Sequence, residues 1–218
     1  MTIWILTLFP EVFSSFLTHS IIKRALAKKI IKINLTNIRD FAKDARKTAD
    51  DTPYGGGAGM VLKADILYSA LKSIKPKPYT ILLSASGAKY TQNTAKKISQ
   101  KNNVAIICGH YEGIDARIEK YADQIVTIGD YILTGGEIPA MVLVDSITRF
   151  IKGSINPQSP QDESFEKGLL EYPQFTRPEN FRGQKVPKVL LSGNHQEIKK
   201  WREEKSEERT KKFRPDLL

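Results

Sequence analysis

The sequence predicts an α/β fold in which a mostly parallel sheet is covered on both faces, followed by a small helical module. Three observations carry that expectation. Short runs of β-forming residues alternate with stretches whose apolar residues recur at helical spacing. Three of the strand-like runs end in small or glycine residues, at 84–87, 109–113 and 129–136, and parallel sheets bind ligands beyond the carboxyl ends of their strands. After Phe150 the pattern gives way to a polar, proline-containing stretch with no periodicity. Pattern alone points to an open, doubly wound sheet.

Residues 3–9 are rich in β-formers and stop at Pro10, so they read as a first strand rather than a leader peptide. Val12, Phe13, Phe16, Leu17, Ile21 and Ala25 then predict one amphipathic helix over 11–28. Ile31 to Ile38 reads as a second strand, 51–59 as a loop and 64–74 as a helix. Tyr79 to Ser84 is a strand, and Thr91 suits the N-cap of the next helix. Strands at Val104–Cys108 and Gln124–Ile128 flank a short helix at 115–121. Glu137 to Phe150 is an apolar helix with an acid and a proline in its first turn, as the helix dipole and the fixed proline φ favour. The expected organisation is a domain over 1–154, a flexible linker over 155–169, and a basic helical module over 170–218 that ends in helix near 195–213.

Within 218 residues the formal charge is +10, while the hydrophobic share of 40% is ordinary for a globular protein. Such a surplus of Lys and Arg selects polyanionic partners, with nucleic acid ahead of an anionic membrane surface. No run approaches the roughly 18 apolar residues of a membrane span, so a cytoplasmic protein is expected. Cys108 is the only cysteine, which excludes an intrachain disulfide and a cysteine-based zinc cluster. It follows Val104-Ala-Ile-Ile107 and reads as a buried small hydrophobe. His19, His110 and His195 show no metal-ligand spacing, so no structural zinc is expected. In the C-terminal module Arg177, Arg182, Lys199, Lys200, Arg202, Arg209, Lys211 and Lys212 are interspersed with Phe175, Phe181, Trp201 and Phe213. That mixture suits RNA, although Trp201 and Phe213 read first as this module's small core.

Two segments, Cys108-Gly-His-Tyr-Glu-Gly-Ile-Asp115 and Ile128-Gly-Asp-Tyr-Ile-Leu-Thr-Gly-Gly-Glu-Ile-Pro-Ala140, hold five glycines between them. Glycine permits positive φ and lets a ligand approach the main chain, so these segments predict a small-molecule pocket lined by backbone. The loop Asp51-Thr-Pro-Tyr-Gly-Gly-Gly-Ala-Gly59 lacks Gly-Lys-Ser/Thr and is not a Walker phosphate loop.

Taken in order, Asp50–Met60, Gly109–Asp115, Ile128–Glu137, Ser164-Phe165 and Leu191-Ser-Gly-Asn-His195 closely resemble the bacterial tRNA (guanine-37-N1) methyltransferase family, TrmD, over nearly the whole chain. The resemblance implies a SPOUT-type fold whose mostly parallel sheet contains a deep trefoil knot, with a small helical C-terminal domain. It also implies a homodimer with its active site at the subunit interface, S-adenosylmethionine (SAM) as donor, tRNA as substrate and a dependence on magnesium. The positions matching the family's cofactor contacts are Leu83, Ser84, Gly109, Tyr111, Glu112, Gly113, Ile128, Gly129, Asp130, Tyr131, Ile132, Leu133, Gly135, Gly136 and Pro139. Ala85-Ser86 replaces a common Pro-Gln, and His110 stands where several relatives carry arginine.

Guanine N1 holds a proton at neutral pH, so its methylation needs a general base and a cation to stabilise charge growing on O6. By resemblance the cation is Arg149. The base falls at Glu163, where the family usually has aspartate, with Asp162 as a rival. A linker bearing the base can close over a flipped guanine. The matching substrate positions are Asp50, Gly55, Gly56, Gly57, Gly59, Ser192, Asn194 and His195, and Ser192 and Asn194 can equally cap a helix. Ribose or ribosomal RNA methylation, and RNA binding without catalysis, remain open as other readings.

Overall fold

The structure is a computed structural model that describes residues 1–156, 163–166 and 168–218. Asp162 and much of the expected linker lie outside the described residues. The chain forms two compact units, Met1–Ile155 and Asn156–Leu218.

The first unit opens with strand β1 (Thr2–Thr7). Where one helix over 11–28 is expected, the chain instead makes a 3-10 turn (Pro10–Phe13), a single helical turn α1 (Ser14–Leu17) and then helix α2 (Ser20–Ala27). Side chains explain the break. Thr18 Oγ1 bonds back to the Ser14 and Ser15 carbonyls, the His19 ring contacts Ser15 O at 2.9 Å, and Ser20 has a φ of +53°.

Strand β2 (Lys32–Asn37) follows, then an antiparallel ribbon of β3 (Asp50–Asp51) and β4 (Val61–Leu62) that carries the glycine loop at its tip. Helix α3 (Ala64–Ser73) leads to strand β5 (Tyr79–Lys89), and Thr91 caps helix α4 (Gln92–Ser99) by accepting from the Thr94 amide. Strand β6 (Asn103–Ile107), a 3-10 turn (Ala116–Tyr121), strand β7 (Gln124–Thr127) and helix α5 (Glu137–Arg149) complete this unit.

The five long strands form one all-parallel sheet in the order β2-β1-β6-β5-β7. Alternation along each strand feeds two cores. Ile3, Ile5, Val104, Ile106, Ile81 and Leu83 pack with α5 residues such as Leu143 and Ile147. Leu6, Leu8, Ala105, Ile107 and Leu82 pack on the other face with Ile66 and Leu67 of α3. Both faces are therefore buried, as a parallel sheet requires. The pairing of β5 with β7 shifts between Leu83 and Ala88, so 84–87 bulge out of register at the strand end. Gly87 makes this possible, because a Cβ there would lie 2.4 Å from the Val126 nitrogen.

The second unit contains a short hairpin of β8 (Asn180–Phe181) and β9 (Gln184–Lys185), a helical turn α6 (Lys188–Leu191) and the long helix α7 (His195–Phe213). Trp201 is half-buried and stands near Phe175. Phe213 departs from the core expectation: it is 57% exposed, with Arg209 and Lys212 over its ring. A last-turn aromatic flanked by basic residues faces solvent here, and the cations cover its faces. No helix among the described residues is long and apolar enough to cross a membrane.

Candidate active site

The carboxyl ends of β5, β6 and β7 surround a cavity of about 250 Å³. Three segments build it: the bulge after Leu83, the turn after Cys108, and the loop from Ile128 into the first turn of α5. Main-chain bonds join the last two. The Gly136 amide donates to Gly109 O at 2.7 Å, and His110 and Gly135 form an antiparallel bridge. Tyr111 and Gly113 have φ values of +56° and +129°, so the turn uses the left-handed region twice.

The cavity wall includes Leu83, Ser84, Gly109, Tyr111, Glu112, Gly113, Ile128, Gly129, Tyr131, Ile132, Leu133, Gly135, Gly136 and Pro139. Asp130 does not line it; its carboxylate pairs with Lys89 Nζ at 2.7 Å. Ala85, His110, Ile114, Glu119 and Thr134 also line the cavity and are not among the positions matched to the family's cofactor contacts. His110, Ile114 and Thr134 lie within the two glycine segments that predict the pocket, whereas Glu119 sits in a separate 3-10 turn that no sequence signal marks. Among the described lining residues the charged groups are Glu112 and Glu119, with neither Lys nor Arg.

Cys108 lies behind this wall, buried and free of disulfide. Burial, and then the charge of Glu137, push its thiol well above the ordinary cysteine range, which suits a packing residue and not a nucleophile.

The glycine loop is stitched to the same turn. Leu62 N–H donates to Gly113 O, Glu112 N–H to Met60 O, and Asp115 N–H to Leu62 O. Gly59 has a φ of +84°, and a Cβ there would lie 2.4 Å from Glu112 Oε1. Gly55, Gly56 and Gly57 are exposed with positive φ, and Asp50 is half-exposed in the ribbon below them.

Arg149 ends α5 in a half-buried position and is not part of the cavity wall. Glu163 belongs to the second unit, where it lines a cavity of about 650 Å³ with His195, Tyr172, Lys199 and Arg202. Ser192 and Asn194 do not line that cavity. Asn194 is the N-cap of α7, accepting from the amides of Gln196 and Glu197, and Ser192 Oγ accepts from the Asn194 amide. Among the described residues, no cluster of three or more His, Cys, Asp or Glu could hold a metal ion.

Comparison with known proteins agrees with the sequence resemblance. The family model described as tRNA (Guanine-1)-methyltransferase TrmD matches residues 1–218. A tRNA (guanine-N(1)-)-methyltransferase of Caldanaerobacter subterraneus subsp. tengcongensis is 53% identical, over 98% of this chain and 90% of the relative. Proteins of the same name from Geobacillus kaustophilus and Borreliella burgdorferi are each 52% identical over all of this chain, and over 91% and 92% of their own lengths. A match of this extent and identity places the chain in the tRNA (guanine-1)-methyltransferase TrmD family.

Proposed function

We propose that this protein transfers a methyl group from SAM to N1 of guanine in tRNA, at position 37 beside the anticodon. The observation that carries the reading is the meeting of three glycine-bearing segments around one cavity at the strand ends. In a chain of net charge +10, that cavity is lined by glycines, apolar side chains and two glutamates, with neither Lys nor Arg, a setting for a cationic small molecule and not for a phosphate.

When bound, SAM supplies a methyl already activated on a sulfonium, so the protein's task is alignment and proton handling. The turns at 109–113 and 128–136 offer main-chain groups to hold the donor. The glycine loop at 55–59, tied to the same turn, brings the guanine edge beside it, with Asp50 as an acceptor for base-edge donors. Glu163 takes the N1 proton, and Arg149 stabilises the negative charge that develops on O6. Asp162, the rival base, lies outside the described residues.

The family resemblance further supports a knotted SPOUT sheet, a cytoplasmic location and a homodimer. Ile138 and Val142, one helical turn apart and both exposed on α5, give a second copy an apolar face to cover. The described residues offer no three-ligand cage for magnesium, and no step here depends on it.

The test is methyl transfer from labelled SAM to tRNA transcripts carrying guanosine or adenosine at position 37. The expected result is incorporation only with guanosine, recovered as 1-methylguanosine. Equal incorporation into both transcripts, or recovery of a 2′-O-methyl nucleoside, overturns the assignment.

A further inference from the structure

Glu137 is a buried acid that the reaction above leaves without a role. It opens α5 and is 6% exposed, and its Oε1 accepts a 2.6 Å hydrogen bond from Thr7 Oγ1. The Thr7 oxygen also accepts from the Phe9 amide at 2.9 Å, so its own proton is directed to the acid. Oε2 lies 3.9 Å from His110 Nδ1, a buried atom that no described residue hydrogen-bonds. A Cβ on Gly135 would come within 2.4 Å of Oε2 and 2.6 Å of that nitrogen, so only glycine leaves the two groups facing each other. Gly135, Gly136 and His110 all line the cavity, which puts the carboxylate directly behind its wall.

Position decides which acid matters. Glu112 and Glu119 line the cavity but are exposed, so water and salt screen them. The buried Glu137 is screened far less, and its charge contributes to raising the Cys108 thiol. A sulfonium donor carries one positive charge more than the thioether that remains after transfer, because the breaking S–C bond leaves its electron pair on sulfur. The methyl forms the new bond to guanine N1, and the N1 proton goes to the base. A fixed buried anion therefore favours the cofactor before reaction over the cofactor after it.

We propose that Glu137 is a specificity-determining residue that makes the cavity prefer the cationic methyl donor to its neutral thioether product, so that methyl transfer itself loosens the spent cofactor. The inference rests on the proposed donor being a sulfonium.

Calorimetry on the full chain at pH 8 tests it with three ligands: SAM, S-adenosylhomocysteine, and an analogue bearing a protonated amine in place of the S-methyl group. Glu137→Gln keeps an oxygen for Thr7 and removes the charge. It is expected to weaken SAM and the amine analogue about tenfold, or about 1.4 kcal/mol, while the thioether stays within twofold. Glu137→Asp, which keeps the charge, holds the SAM-to-thioether ratio within twofold of wild type. Equal weakening of all three ligands by Glu137→Gln, or no weakening at all, overturns the proposal.

The wild-type protein provides a second measurement that needs no variant. The affinity ratio of SAM to thioether is expected to persist from about 0.05 M to about 1 M salt, since a buried charge is poorly screened. A ratio that collapses assigns the discrimination to the exposed acids and overturns the role of Glu137. A wild-type protein that binds none of the three ligands removes the donor assignment itself, an outcome distinct from the others.

Discussion

Gly136 lies so close to Cys108 that a Cβ on it would sit 2.7 Å from the Cys108 Cα and 2.8 Å from the Gly109 nitrogen. Both obstacles are backbone, so no side-chain rotation relieves them. Its φ of −83° is ordinary, which makes the constraint one of space alone. Gly136→Ala must therefore separate the 109–113 turn from α5 and break the 2.7 Å bond from Gly136 N to Gly109 O. The expected outcome in calorimetry is loss of SAM binding by about tenfold or more. Gly113 provides the contrast, with open space around its Cβ position but a φ of +129°. Gly113→Ala costs backbone strain of about 1–3 kcal/mol in urea unfolding.

Much of this site was legible in the sequence, for identifiable reasons. Glycine clusters at strand ends announce backbone-lined pockets, and the alternation of strand-like runs with helical spacing announces a parallel sheet buried on both faces. Other features depend on packing that no local pattern encodes. The bulge at 84–87 arises from the register of β5 against β7, and the depth of Glu137 arises from Thr7, some 130 positions earlier. The break at Thr18–His19 is a local competition for carbonyls that helical periodicity does not register. The departure of Asp130 from the wall has a similar origin, since Lys89 across the β5–β7 edge claims its carboxylate.

Tyr90 gives the fold an alkaline signature. Its hydroxyl meets Ser146 Oγ at 2.7 Å, and burial pushes the phenol up to about 12 despite that hydrogen bond. The folded state thus holds this proton more tightly than the unfolded chain, whose tyrosines ionise near 10. The associated stability is fully present below about pH 10 and is lost as pH rises toward about 12, amounting to about 2–3 kcal/mol. Urea unfolding between pH 9 and pH 12 is expected to show a steeper alkaline decline for wild type than for Tyr90→Phe. Parallel profiles for the two proteins refute the assignment.

Asn194 separates a structural role from an RNA contact. Its Oδ1 accepts from the amides of Gln196 and Glu197, which caps the 19-residue helix α7. Asn194→Ala is expected to lower stability by about 1 kcal/mol, and Asn194→Asp to restore it, because aspartate offers the same acceptor at the positive end of the helix. The tRNA KM of Asn194→Asp then reads the second role. An unchanged value leaves the residue as a cap alone, while a several-fold rise at wild-type stability adds a contact through its amide nitrogen.

Glu163 and Arg149 belong to different compact units, and their proposed roles predict different kinetic defects. Glu163→Gln removes the proton acceptor and is expected to slow single-turnover methylation about 100-fold or more, with SAM affinity unchanged. Arg149→Lys keeps the charge but loses the planar, forked donor, so a loss nearly as large as that of Arg149→Ala, about 100-fold, marks directed hydrogen bonding to O6. A Glu163→Gln enzyme that keeps its rate would transfer the role of base to another acid, with Asp162 the first to substitute.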